Sequence, residues 1–107
     1  MDLSKKKCVP CESKTSPMKK TLIKKYLKKI KRWRLKKGKL YKEFKFKDFR
    51  ETLKFVNKVG KIAEKEGHHP DTYFTWGKCN IELYTHAING LRENDFILAS
   101  KIDKISS

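Results

Sequence analysis

The sequence predicts an α+β domain, a four-stranded antiparallel sheet with three helices packed on one face, in the order α-β-β-α-β-β-α. Three observations predict it. First, apolar residues recur at helical spacing in three segments. Second, apolar and polar residues alternate in several other, shorter segments, as in β-strands. Third, glycine-containing turns join these shorter segments in pairs. Two hairpins with helices segregated from them are typical of an antiparallel sheet covered on one side.

The three helices differ in how clearly the sequence marks their ends. In the first helix, over residues 18–30, apolar residues recur at three- and four-residue steps. The second helix is expected over residues 49–66, because Asp48 with Glu51 resembles a capping pair and Gly67 supplies a C-terminal stop. The third helix is marked only by Leu98, Ile102 and Ile105.

Two β-hairpins are predicted between these helices. The first covers residues 33–46 and turns at Lys37-Gly38. The second has a strand at 73–76, a turn at Gly77-Lys78 and a strand at 79–85. Cys79 occupies an apolar position of that last strand, so we expect its thiol to pack rather than to react.

A chain of 107 residues is long enough for one domain and too short for two separate cores. Residues 1–17 contain few apolar side chains and are expected to form a basic arm that is flexible or loosely docked, with residues 18–107 as the single domain. The hydrophobic content of 37% is modest, so burial of further apolar surface in a homo-oligomer would add stability.

The formal net charge is +16, and residues 1–32 alone carry twelve basic against two acidic side chains. Such a stripe can bind nucleic acid or an anionic membrane surface, or it can simply be a solvated helix face. No stretch of eighteen apolar residues occurs, and no hydrophobic segment of secretory type follows Met1. We therefore expect a soluble, cytoplasmic protein without a membrane partner.

Three cysteines do not suggest a secreted disulfide framework. The spacing of Cys8 and Cys11 would supply half of a zinc site, but a second such pair is missing from the sequence. A mobile thiol pair is the preferred interpretation.

The three histidines, His68, His69 and His86, fall in one constellation, Gly67-His68-His69-Pro70 followed by Thr85-His86, with Gly90-Leu91 and Asp95 downstream. Imidazole has an unperturbed pKa of about 6.5 and can donate or accept protons near neutral pH. Proton transfer is the leading functional hypothesis. The alternatives are surface or packing histidines, and a zinc site completed by a cysteine, which adjacent histidines on an extended segment make awkward.

The same residues resemble the pterin-4a-carbinolamine dehydratase family. The resemblance runs from about Met18 to Asp103 and includes the segments 43–49 and 55–57, with the order and spacing of His-His-Pro, Thr-His and Gly-Leu-x-x-x-Asp. It implies a four-stranded antiparallel sheet with three helices on one side and assembly into dimers or dimers of dimers. It also implies dehydration of 4a-hydroxytetrahydropterin to quinonoid dihydropterin, in recycling after aromatic amino acid hydroxylation, with no metal or organic cofactor.

The resemblance also implies roles for individual residues. His68 and His86 are candidates for the general acid at the leaving hydroxyl, and His69 for substrate anchoring or base. The expected substrate-binding residues are Glu64, Pro70, Thr85, Asp95 and Trp33. For Trp33 the competing role is core packing, for Glu64 a solvated helix position, and for Asp95 stabilisation of a helix N-terminus.

Three positions depart from the family pattern: Ala87, Arg92 and Asn94 replace an acidic residue, a hydroxyl residue and a basic residue. The change at Arg92 removes an expected N-cap hydroxyl. A competing function is a non-enzymatic role, as a dimerisation cofactor or a basic nucleic-acid- or protein-binding module.

Overall fold

The core lies between one face of the sheet and the helices that cover it. The computed structural model describes residues 3–6, 8 and 18–106. Within these residues the elements follow the predicted order, which confirms the α+β fold. They are α1 (Lys20–Leu27), β1 (Arg34–Lys36), β2 (Lys39–Lys45), α2 (Phe49–Glu66), β3 (Asp71–Thr75), β4 (Lys78–Leu83) and α3 (Glu93–Ser106).

The sheet has the order β1-β2-β4-β3, and every neighbouring pair is antiparallel. Cys79, Ile81 and Leu83 of β4 are buried, whereas the residues between them are partly exposed. Because side chains alternate along a strand, this pattern puts one face of the sheet against the helices. The burial of Cys79 confirms its predicted packing role.

Both strands of the second hairpin differ from the predicted ranges of 73–76 and 79–85, and the turn between them lies one residue earlier than predicted. Phe46 donates its backbone N–H to the carbonyl of Gly77 at 2.8 Å. A Cβ at Gly77 would lie 2.8 Å from the Phe46 carbonyl oxygen, so only glycine fits. Trp76 and Gly77 form the turn, so β3 ends at Thr75 and β4 begins at Lys78. In addition, β3 starts earlier than predicted, at Asp71, and Thr85 lies beyond the end of β4.

The first helix is shorter than the predicted range of 18–30. Before it, Met18 donates its backbone N–H to Leu91 at 2.9 Å. After it, the chain leaves the helix and reaches a left-handed residue, Arg32 (φ 62°). This path buries both Ile30 and Trp33 in the core.

The described part of the predicted N-terminal arm is docked on the domain. Leu3 is buried in the core, in a short 3-10 helix (Leu3–Lys5) that packs against α3. Lys101 donates from Nζ to the Ser4 carbonyl at 2.7 Å. The predictions for residues 9–17, including Cys11, lie outside the described residues.

The helices of the described residues are too short or too polar to span a bilayer.

Candidate active site

The C-terminal end of α2 determines where the two adjacent histidines lie. Gly67 adopts a left-handed conformation (φ 66°), the usual device for ending a helix. The backbone N–H groups of Gly67 and His68 both donate to the Ala63 carbonyl. The chain therefore turns sharply at Gly67, and His68 and His69 leave the helix end in an extended segment before β3.

His68 is paired with a fully buried carboxylate. Its Nε2 lies 2.6 Å from Oδ1 of Asp95, and the His68 side chain is only 12% exposed. The other oxygen of Asp95 accepts hydrogen bonds from the Thr85 hydroxyl and the Arg92 backbone N–H, both at 2.9 Å. Asp95 is thus stabilised by three donors, which offsets the cost of burying a carboxylate.

The Asp95 carboxylate also caps the N-terminus of α3. Asp95 lies in the first turn and accepts the backbone N–H of Arg92, the residue that precedes the helix. A side chain in the first turn that bonds back to the residue before the helix is one half of a capping box. Although Arg92 lacks a capping hydroxyl, the helix start is held by Asp95, so one residue anchors both α3 and His68.

The other two histidines are exposed and lie beside exposed carboxylates. Nε2 of His69 is 2.5 Å from Oε2 of Glu64, with side chains 58% and 79% exposed. Nε2 of His86 is 3.8 Å from Oδ1 of Asp71, and its ring packs on Tyr84. Asp71 was not predicted as a site residue. The signal available in the sequence was its place directly after His-His-Pro.

These contacts divide the histidines into one shielded ring and two accessible rings. A carboxylate only accepts hydrogen bonds, so Asp95 holds a proton on Nε2 of His68. The Nδ1 atom of His68 has no hydrogen-bond partner among the described residues and is left for proton exchange. His69 and His86 can exchange protons with solvent directly, because more than half of each side chain is exposed.

Thr85 and Pro70 fix the backbone on both sides of the histidines. Thr85 exchanges backbone hydrogen bonds with Gly90 at 2.8 and 3.4 Å, and a 3-10 helix (His86–Ile88) lies between them. Thr85 itself is buried, and its hydroxyl donates a hydrogen bond to Asp95. Pro70 restricts the preceding His69 to an extended backbone.

The structure does not place Trp33 beside the histidines. Its indole Nε1 donates to Oδ1 of Asp103 at 2.9 Å, and its ring packs edge-on against Phe44. Asp103 lies eight positions after Asp95 on α3, about 12 Å along the helix axis. The structure therefore places Trp33 in the core, in the packing role that competed with substrate stacking.

The docked N-terminal segment reaches the edge of the site. The backbone N–H of Cys8 donates to Oε1 of Glu66 at 2.8 Å, and its thiol lies 3.6 Å from the Asn94 carbonyl. Burial, reinforced by the Glu66 charge, raises the pKa of the Cys8 thiol to about 12. Cys8 is therefore a neutral thiol at pH 7. Among the described residues, no three potential ligands are grouped as a metal site would need.

An α+β domain with three histidines beside three carboxylates at one end of its sheet has the groups of an acid–base catalyst. The chain belongs to the pterin-4a-carbinolamine dehydratase family. The family model described as Pterin 4 alpha carbinolamine dehydratase matches residues 16–105. The resemblance of the histidine segments is thereby confirmed at the level of the family.

Curated relatives agree over nearly the whole length. A protein of Alkaliphilus metalliredigens is 46% identical over 108 residues, with 99% of this chain and 97% of the relative covered. A protein of Rickettsia canadensis is 50% identical over 103 residues, with 94% of each chain covered. Both carry provisional names as pterin-4-alpha-carbinolamine dehydratases.

Two solved structures share the fold. A transcriptional coactivator/pterin dehydratase from Brucella melitensis superposes with a TM-score of 0.82 at 26% identity, covering 86% of this chain and 100% of the other. A pterin dehydratase-like protein described as a RuBisCO assembly factor in the alpha-carboxysome gives a TM-score of 0.60 at 26% identity, covering 71% and 88%.

Proposed function

We propose that the protein dehydrates a 4a-hydroxytetrahydropterin to the quinonoid dihydropterin and water. The observation that carries the proposal is the buried His68–Asp95 pair beside two accessible histidines, in a chain of the pterin carbinolamine dehydratase family. A relative's name supports only the reaction class, and the roles of individual residues are proposed from the resemblance of the histidine segments together with this geometry.

The reaction needs one proton acceptor and one proton donor. A ring nitrogen of the pterin loses its proton, the C4a–O bond breaks, and the hydroxyl leaves with a proton as water. The products together contain the atoms of the substrate, so no oxidant, reductant or cofactor is consumed.

The family resemblance implies a division of roles among the histidines. His68 and His86 are the candidates for protonating the leaving hydroxyl, and His69 for anchoring the pterin or accepting its proton. Asp95 acts by orienting His68, since both of its oxygens are already occupied. Glu64 is largely exposed beside His69 and can accept an N–H of the pterin ring.

The test is the decay of 4a-hydroxytetrahydropterin, generated by an aromatic amino acid hydroxylase and followed by ultraviolet absorbance. The purified chain should accelerate the decay, with or without a chelator. Changing His68, His69 or His86 individually to Gln should lower kcat, by about 100-fold where the ring transfers the proton. Lys54→Gln, an exposed position on α2, is the control and should leave kcat unchanged.

Two results would contradict the proposal. The first is absence of acceleration by the intact chain, and the second is full turnover in all three histidine variants. Loss of activity with the chelator alone would instead favour the metal-site alternative.

We further propose that the chain forms a homodimer or homotetramer in the cytoplasm and serves an aromatic amino acid hydroxylase. The assembly is supported by β3, an edge strand whose five residues are all exposed, and by the exposed aromatic rings of Tyr73, Phe74 and Trp76. Open edges and aromatic patches of this kind favour association. Light scattering that gives a monomer mass at micromolar concentration would contradict the assembly.

A further inference from the structure

Half of the Lys and Arg side chains lie in one quarter of the chain. Residues 19–45, which form α1, β1 and β2, contain fourteen Lys and Arg side chains and one acidic residue, Glu43. The histidine site does not use any of these cations. We call the side chains of this segment the basic surface.

The basic surface contains a cavity of about 540 Å³ between the first hairpin and the end of α3. Phe44, Phe46, Glu43 and Ser106 contribute to its wall. The remaining lining residues are all cations: Lys31, Arg32, Arg34, Lys42 and Lys45. Five positive charges against one negative charge in a single cavity favour an anionic ligand strongly.

With one exception, these charges do not hold the fold together through ion pairs. Of the fourteen cations, only Lys42 is ion-paired within the described part of the chain, to Asp103 at 2.6 Å. Arg34 and Lys36 lie over the ring of Tyr41, which orients them without neutralising them. Mutual repulsion among unpaired cations destabilises the folded chain, and a polyanion would relieve that cost.

The packing of α1 decides which polyanion fits. A helix that binds a membrane surface inserts its apolar face into the lipid. Here Ile23, Tyr26 and Leu27 pack against the core, and the ring of Tyr26 meets Phe96 edge-on. The basic surface exposes only two large apolar side chains, Leu22 and Leu35, so it offers charge without an inserting face.

We infer that the basic surface binds the phosphate backbone of nucleic acid without reading sequence. Lysine and arginine that neutralise phosphates release condensed counterions, and the affinity then depends steeply on salt. The cavity lies at the C-terminal end of α3, where Ser106 lines it, about 17 Å along the helix axis from Asp95. Nucleic acid can therefore occupy the cavity without covering the histidines.

The test uses the full chain and a fluorescent duplex DNA of mixed sequence, with binding followed by anisotropy from about 50 to about 200 mM salt. The variant Arg32→Asn, Arg34→Gln, Lys45→Gln removes three cavity charges, and Asn suits the left-handed conformation of Arg32. It should weaken binding at low salt at least tenfold and lower the salt slope by about 3. Dehydration of the pterin should be unchanged.

Two controls make the result specific. The variant Lys54→Gln, Lys58→Gln, Lys61→Gln removes three charges from exposed positions on α2 and should retain most of the affinity. The variant Arg32→Lys, Arg34→Lys keeps the cavity charge and should bind as the parent does, which separates lost charge from damaged folding.

Three outcomes would overturn the inference. If the α2 control variant weakened DNA binding as much as the cavity variant does, the affinity would depend on the net charge of the protein and not on the cavity. An affinity independent of salt would exclude phosphate contacts. Binding to anionic lipid vesicles that is tighter than binding to DNA, and that the cavity variant also abolishes, would identify a membrane surface instead. None of these results bears on the dehydration activity.

Discussion

The histidine site and the basic surface use charge in opposite ways. In the site, each titratable ring lies beside a carboxylate on another segment, and Asp95 is fixed by three donors. On the basic surface, thirteen of the fourteen cations have no ion-pair partner in the described residues. Paired, oriented charges suit a reaction that moves one proton at one atom, whereas unpaired charges suit a ligand recognised only as an array of phosphates.

The largest expected effect is the loss of kcat when the buried His68–Asp95 pair is disrupted. Asp95→Asn keeps the shape but supplies one acceptor oxygen where three donors now bond. We expect kcat to fall about 100-fold, because His68 loses its orientation. Steady-state dehydration kinetics measure the effect.

The same variant tests whether the histidine site and the basic surface act independently. Its affinity for duplex DNA should remain that of the parent, because Asp95 is distant from the basic cavity. Unchanged turnover in Asp95→Asn would show that the buried pair is not part of the catalytic machinery. The circular dichroism spectrum must remain native for either conclusion.

A smaller effect, on stability, is expected at Gly67, the turn that positions His68 and His69. Gly67→Ala puts a Cβ on a residue with φ 66°, which costs about 1–2 kcal/mol. Space is not the obstacle, since a Cβ there meets nothing within 4 Å. We expect the free energy of unfolding to fall by that amount in urea titrations.

The matched variant for this turn is Gly67→Asn. Asparagine tolerates the left-handed region better than alanine, so this variant should recover much of the lost stability. Equal losses in the alanine and asparagine variants would show that the backbone conformation is not the cause.

The smallest effect is expected at Glu93, which lies between the two regions. It accepts hydrogen bonds from the Tyr26 hydroxyl at 2.7 Å and from Lys6 Nζ at 3.0 Å. The Tyr26 hydrogen bond, followed by Lys6, lowers the pKa of the Glu93 carboxyl, although partial burial opposes this. The carboxylate therefore stabilises the fold at neutral pH, and this contribution is lost as the pH falls through its lowered folded-state pKa.

Glu93→Gln measures that contribution. The parent should be more stable than the variant at pH 7 by less than about 1 kcal/mol, since the pair is exposed to solvent. The difference should shrink below the ordinary pKa of a glutamate, as followed by thermal unfolding at several pH values. A difference that grows on acidification would contradict the assignment.

The sequence predicted the fold and the site to different depths. The bounds of α2 were predicted correctly, because Asp48 and Gly67 are local signals whose hydrogen bonds lie within one turn. The end of α1 was predicted wrongly, because it depends on where Ile30 and Trp33 reach the core, which is a long-range property. Likewise, the place of the turn after β3 depends on the Phe46–Gly77 contact, which joins the end of β2 to that turn.

In the site, the sequence supplied the histidines together with Glu64 and Asp95, but not which ring each carboxylate contacts, and it missed Asp71. The partnership of His68 with Asp95 joins residues 27 positions apart, and the contact of His86 with Asp71 depends on the position of β3. The sequence also did not identify Leu3 and Cys8 as the residues that dock the N-terminal arm, since single apolar residues in a polar segment give no periodic signal.

The most direct test of the account is a double-mutant cycle on turnover with His68→Gln, Asp95→Asn and the double variant. If Asp95 acts by orienting His68, the double variant should lose no more activity than His68→Gln alone, about 100-fold. If the two losses multiply, or if neither single variant loses activity, the buried pair does not work as a unit and the proposed site is contradicted.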